Sequence, residues 1–156
     1  MFKTQLAIMN LKFSPEKLTP YVPKIGATIV YFLCTGLAAI LFAARNIEAL
    51  QFRFLLALFP AYHTHISNFS ISFLLVLVAG YSSIMMTKKL SYSIFVAFLI
   101  AMMNIVYELY VPILNTPDII DAYYGVVGSF SPLIYLVFYQ KYGLKQNPLY
   151  NTNQNA

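Results

Sequence analysis

Charge is what this chain has least of. Only 10% of its 156 residues are Asp, Glu, Lys or Arg, against about 25% in a typical soluble domain. With 60% hydrophobic residues and a mean hydropathy of +0.68, that shortage excludes an ordinary water-soluble fold and indicates a membrane protein. Cysteine is almost missing as well. Cys34 is the single thiol, so no intramolecular disulfide can form, and inside an apolar run it reads as a small hydrophobe. Acids are scarcer than bases, five against ten. The resulting excess of +5 does not make a nucleic-acid partner, because the lysines stand at the ends of apolar segments and form no basic stripe. There is no cysteine pair, no glycine-rich phosphate loop and no Ser/His/Asp spacing, and the residues name no cofactor.

Long uncharged runs are what the chain has in their place. They cover residues 25–44, 54–87, 90–107 and 122–140, each allowing about 18 to 20 residues of helix, the length that crosses roughly 30 Å of hydrocarbon. Thirteen Tyr and thirteen Phe suit helices anchored at bilayer interfaces. The expected fold is an all-α integral membrane bundle of four spans: Ile25–Ala44, about Ile66–Thr87, Leu90 to about Tyr107, and about Asp118–Gln140. Residues 1–24 hold Lys3, Lys12, Lys17 and Lys24, and Pro15, Pro20 and Pro23 break any long helix. The apolar stretch around Leu6–Met9 is too short for a signal peptide, so the expectation is a retained cytoplasmic arm. Between the first two spans, Ile47, Leu50, Phe54 and Leu58 recur at helical spacing, which predicts an interfacial helix along the membrane. Residues 146–156 are rich in Asn and Gln and read as a disordered polar tail after a transmembrane domain over 25–145.

The positive-inside rule sets the expected orientation. With both termini cytoplasmic, all eight lysines lie inside, and Arg45 and Arg53 stay outside. Glu48, His63, His65, Glu108, Asp118 and Asp121 then share the non-cytoplasmic face. Three of the five carboxylates fall within residues 108–132. Thr116 as N-cap with Pro117 at the first helical position would start the last helix there. Asp118, Asp121, Gly125 and Gly128 would follow on one face, extended by Ser129 and Pro132. Such small residues let a neighbouring helix approach closely.

A purely structural account is complete for Asp118 and harder to make for Asp121 and Glu108. Asp118 at a helix start gains about 0.3–1 kcal/mol from the macrodipole. Asp121 lies one turn further in, where a charge costs up to about 3 kcal/mol and is usually paired or functional. Glu108 closes the third span, where the helix dipole disfavours an anion, so it calls for a partner, a metal or a proton. Two close carboxylates can share general acid–base work, since like charges push one pKa up. His63 and His65 with these acids have the residue types of a three-ligand metal centre; His-x-His in a loop is nevertheless common, and the reading assigns no metal. Arg45 and Arg53 are the expected ligand-binding pair for a phosphate or carboxylate headgroup, against the plainer role of ion pairs with Glu48.

His65 and Phe69 opening the second span, Glu108 closing the third, and Thr116, Asp118, Asp121 and Gly128 leading into the fourth resemble the VanZ-like family. The resemblance spans roughly residues 60–135. The chain differs from that family at Asn115, where an Arg is usual, at Gly125, where an Asn is common, and at Ala61, where an acid is expected. That family is associated with teicoplanin resistance and other cell-envelope settings. The resemblance implies a multi-pass envelope protein that binds or processes a lipid-linked or headgroup ligand at the non-cytoplasmic face. Glu108, Asp118, Asp121 and His65 would be its catalytic set, with membrane lipids as partners. The alternative is a non-catalytic accessory subunit of a larger membrane complex; a small transporter or proton relay using Glu108 and Asp121 is a third reading.

Overall fold

The computed structural model describes residues 19–111 and 117–150; most of the basic arm, Thr116 and the end of the polar tail lie outside them. A short strand β1 (Tyr21–Pro23) leads into α1 (Ile25–Ala43). A 3-10 turn (Glu48–Leu50) and a six-residue helix α2 (Arg53–Leu58) follow, then α3 (Tyr62–Thr87) and α4 (Ser91–Tyr110). The chain closes with α5 (Ile119–Phe130), α6 (Pro132–Tyr142) and β2 (Leu144–Gln146). Four helical runs, counting α5 and α6 as one of 24 residues, are long and apolar enough to cross a membrane. That fits a multi-pass membrane protein.

α3 is the axis of the bundle. Its 26 residues give about 39 Å of helix at 1.5 Å per residue, and it packs against α1, α4, α5 and α6. α5 fits between α3 and α4 because the facing stripe of α5 is small. Gly125, Gly128 and Ser129 are buried, and the α-hydrogen side of Gly128 lies on the backbone of Phe69, so two helix axes come close. Pro132 then interrupts the ladder, since it has no N–H to return to the Gly128 carbonyl. Ser131 keeps helical angles, and the run bends into α6 without leaving the helix. α1 is peripheral: only 6% of its apolar window is buried. Outward residues such as Phe95, Phe98, Met102 and Met103 of α4 are exposed, as lipid-facing residues would be.

The fully apolar core lies toward one end. Val76, Leu77 and Ile84 of α3 meet Ala97, Leu136 and Tyr139 there, and Tyr139 stacks on Tyr81 with ring centroids 4.5 Å apart. A β-ribbon closes this end, Tyr21–Pro23 pairing antiparallel with Leu144–Gln146. The N–H of Lys24 donates to the Gly143 carbonyl at 2.7 Å, and the Gln140 side chain donates to the Lys88 carbonyl at 3.0 Å. Lys24, Lys88, Lys141 and Lys145 thus gather at one end of the bundle.

Several local expectations change. The strand pair escapes the apolar-run pattern, because three-residue strands carry too few residues for a period-2 signal. The connection over residues 46–62 is not one interfacial helix; extended angles at Gln51 and Phe52 split it into a 3-10 turn and α2. α3 begins at Tyr62 instead of Ile66, and α4 runs on to Tyr110, so Glu108 sits inside the last turn. The final helix starts with Asp118 as N-cap, its φ of −133° and ψ of 107° outside the helical region, and Pro117 stands before it.

Candidate functional site

The opposite end of the bundle carries the site. Asp118 caps α5 by accepting the Ile120 N–H on Oδ1 at 2.8 Å, a short-range bond that any Asp N-cap makes. Asp121 occupies the third helical position, from which an acid often folds back to bond the N-cap amide. Here it turns to another helix instead. Oδ1 of Asp121 lies 2.8 Å from Nδ1 of His65 on α3, and Oδ2 of Asp118 lies 3.7 Å from the same nitrogen. The His65 ring faces Tyr124 of α5 at 5.7 Å between centroids. One imidazole is therefore hydrogen-bonded by Asp121 and approached by Tyr124 of α5 and by the helix's N-cap, Asp118.

These groups are partly covered. Relative exposure is 16% for the His65 side chain, 23% for Asp121 and 35% for Asp118, so none is sealed and none is freely hydrated. Among the described residues no Lys or Arg pairs with either aspartate.

His65 also lines a groove of about 620 Å³ between α2, α3 and α5. Leu55 and Leu58 form one wall, Ile66 and Phe69 the floor, and Ile120 and Val127 the other wall. From Ile120 to Val127 the groove follows about 10 Å of helix, at 1.5 Å per residue. Its lining is apolar or aromatic apart from His65. The arrangement is amphiphilic: an apolar groove whose one imidazole is in turn contacted by two carboxylates that do not themselves line it.

Of the expected residues, His65, Asp118 and Asp121 come together, each offering one ligand atom within 4.8 Å of the others. Glu108 stands apart from that group. It is 4% exposed and accepts the Asn68 amide at 2.8 Å. Asn68 lies three residues beyond His65 on the same face of α3, so Glu108 sits about a turn deeper. Arg45, in the turn after α1, donates to Ser67 Oγ at 2.6 Å, and Arg53 opens α2 with an exposed side chain. Neither arginine is ion-paired with Glu48, which removes the plainer account of them, and neither joins the cluster. His63, expected beside His65 in a loop, lies instead in the first turn of α3. Two residues on a helix differ by about 200° in direction, so the two imidazoles diverge.

Sequence reasoning missed Asn68, Asn104 and Tyr124. Asn104 of α4 donates to Ser72 at 2.9 Å and to the Ile100 carbonyl at 2.8 Å, and its side chain fills the space left open at Gly125. A signal for both amides existed, because an amide inside an apolar span needs a partner. Tyr124 gave none, being one of thirteen tyrosines. No family model, curated protein or solved structure matches this chain.

Proposed function

We propose that this is a VanZ-like membrane protein of the cell envelope that binds, and in its fullest form processes, a lipid-linked or headgroup-bearing ligand at the non-cytoplasmic face. The observation that carries the proposal is the apolar groove that His65 lines, with Asp121 2.8 Å from the imidazole. An apolar channel suits an acyl or isoprenoid chain. The polar cluster that adjoins it through His65 suits the headgroup. In processing, the Asp121 carboxylate would hold the imidazole in one orientation, leaving its second nitrogen to take a proton from the headgroup, the part a carboxylate plays for histidine in hydrolases.

The orientation in the membrane follows from the lysines. Lys24, Lys88, Lys141 and Lys145 stand at the ribbon end, and the positive-inside rule assigns that end to the cytoplasm. The site then faces outward.

Native mass spectrometry of the protein extracted in mild detergent tests the reading. Wild type is expected to carry a lipid that His65→Ala and Asp121→Asn lose. Equal lipid on all three, with a stoichiometric protein partner, would replace this reading with that of an accessory subunit.

A further inference from the structure

We propose that His65, Asp118 and Asp121 bind one divalent transition-metal cation of the zinc or manganese type. Three features support the site independently. The first is spacing. Ligand atoms about 2.1 Å from a metal lie about 3.0 Å apart at octahedral angles and about 3.4 Å apart at tetrahedral ones. The observed separations of 2.8 Å and 3.7 Å from Nδ1 of His65 bracket those edges, and all three ligand atoms lie within 4.8 Å of one another, so a cation fits among them after side-chain adjustment.

The second is orientation. Asp118 uses Oδ1 to cap α5, which leaves Oδ2 turned toward His65. That is the kind of supporting hydrogen bond that aims a metal ligand. Asp121 is set on the same helix one turn on, and the His65 ring is kept in place by Tyr124. The third is charge. The two carboxylates beside His65 have no Lys or Arg partner among the described residues, and their number matches the charge of a divalent ion. One imidazole with two carboxylates is a donor set shared by zinc and manganese, and three protein ligands leave coordination positions open.

The metal site stands without the lipid reading. A bound ion takes Nδ1 of His65 and Oδ1 of Asp121 in place of their hydrogen bond and so excludes the proton-taking role. If the binding part of the lipid reading also holds, the ion explains how a cluster with two carboxylates accepts an anionic headgroup, because a phosphate oxygen would complete the open coordination. That consequence rests on the proposed function; metal binding does not.

The test uses the full chain in mild detergent, free of any affinity tag, stripped with EDTA and titrated with Zn²⁺ and with Mn²⁺ in the absence of added lipid. Calorimetry and Mn²⁺ electron paramagnetic resonance report stoichiometry. One equivalent of at least one of the two ions is expected to bind saturably. His65→Ala and Asp121→Asn are expected to weaken it at least tenfold, while His63→Ala leaves it unchanged. Asp121→Asn keeps a hydrogen-bonding side chain, and a monodisperse elution profile shows that it folds. Failure of both ions to saturate near one equivalent overturns the site, as does binding that survives both substitutions or disappears with His63→Ala. Lipid absent from wild type, or retained equally by wild type and both variants, with metal binding as expected, would sink the headgroup reading and leave the metal centre standing.

Discussion

The two ends of this bundle use polar groups in opposite ways. At the ribbon end the polar bonds are structural. β1 pairs with β2, the Lys24 N–H reaches Gly143, Gln140 reaches Lys88, and Asn147 donates to the Thr19 carbonyl at 2.9 Å. Most of these bonds end on backbone atoms, and they close an apolar core. At the other end, polar bonds join side chains of separate elements: His65 to Asp121, Asn68 to Glu108, Arg45 to Ser67. One of these side chains, His65, lines an open groove. Backbone bonds at helix ends satisfy groups that every chain has. Side-chain clusters between helices are optional, costly to bury and therefore informative.

The strongest way to break this contrast is to alter the site end and follow ligand and stability together. His65→Ala and Asp121→Asn are expected to abolish lipid retention and to cut metal affinity by tenfold or more. Because these groups are partly hydrated, thermal unfolding midpoints should move by only a few degrees. Large unfolding shifts would show that the cluster is a structural staple.

Next comes the helix contact that delivers Asp121. A methyl at Gly128 would run into the Phe69 backbone, which cannot rotate away. Gly128→Ala should cost about 3 kcal/mol, the upper part of the overpacking range, read as a lower unfolding midpoint, and should weaken the site by moving α5. Gly125→Ala meets the Asn104 side chain, which can turn aside, so about 1–2 kcal/mol is expected. Equal losses at the two positions would remove the distinction between backbone and side-chain contact.

Removing the Asn68 amide that donates to the buried Glu108 should cost about 1 kcal/mol, the net worth of one hydrogen bond. Asn68→Leu therefore lowers stability, measured by the same midpoint, and leaves metal stoichiometry at one. The smallest effect belongs to the ribbon end. Lys88 ends α3 with φ of 55°, which costs a side-chain-bearing residue about 1 kcal/mol, and its ammonium sits 5.5 Å from the Tyr21 ring. Lys88→Gly relieves the first and forfeits about 0.5 kcal/mol of the second. A net gain of about 0.5 kcal/mol with unchanged lipid and metal binding is expected.

Much of the fold is legible in the chain because solvent class acts on long segments. Runs of about twenty uncharged residues become helices whatever surrounds them, since backbone groups in hydrocarbon must bond within the segment. The breaks were less legible. Whether Thr116 or Asp118 caps the last helix depends on one residue's angles, and whether α3 starts at Tyr62 or Ile66 depends on its neighbours. That small shift matters, because it turns His63 away from His65. The small stripe of Gly125 and Gly128 could be read from spacing alone, and it does face a neighbouring helix.

By itself, the sequence determined that four apolar segments would be helical, that lysines and site acids would stand at opposite ends, and that Asp118, Asp121 and the glycines would share a face. Hydropathy and helical periodicity are local, so they need no partner. Only the tertiary structure decided that Asp121 meets His65 from 56 positions away, that Glu108 goes to Asn68, and that the arginines stand outside the cluster. Pairing between helices depends on rotation and depth along each axis, and both are set by where backbones come close, as at Gly128 and Phe69.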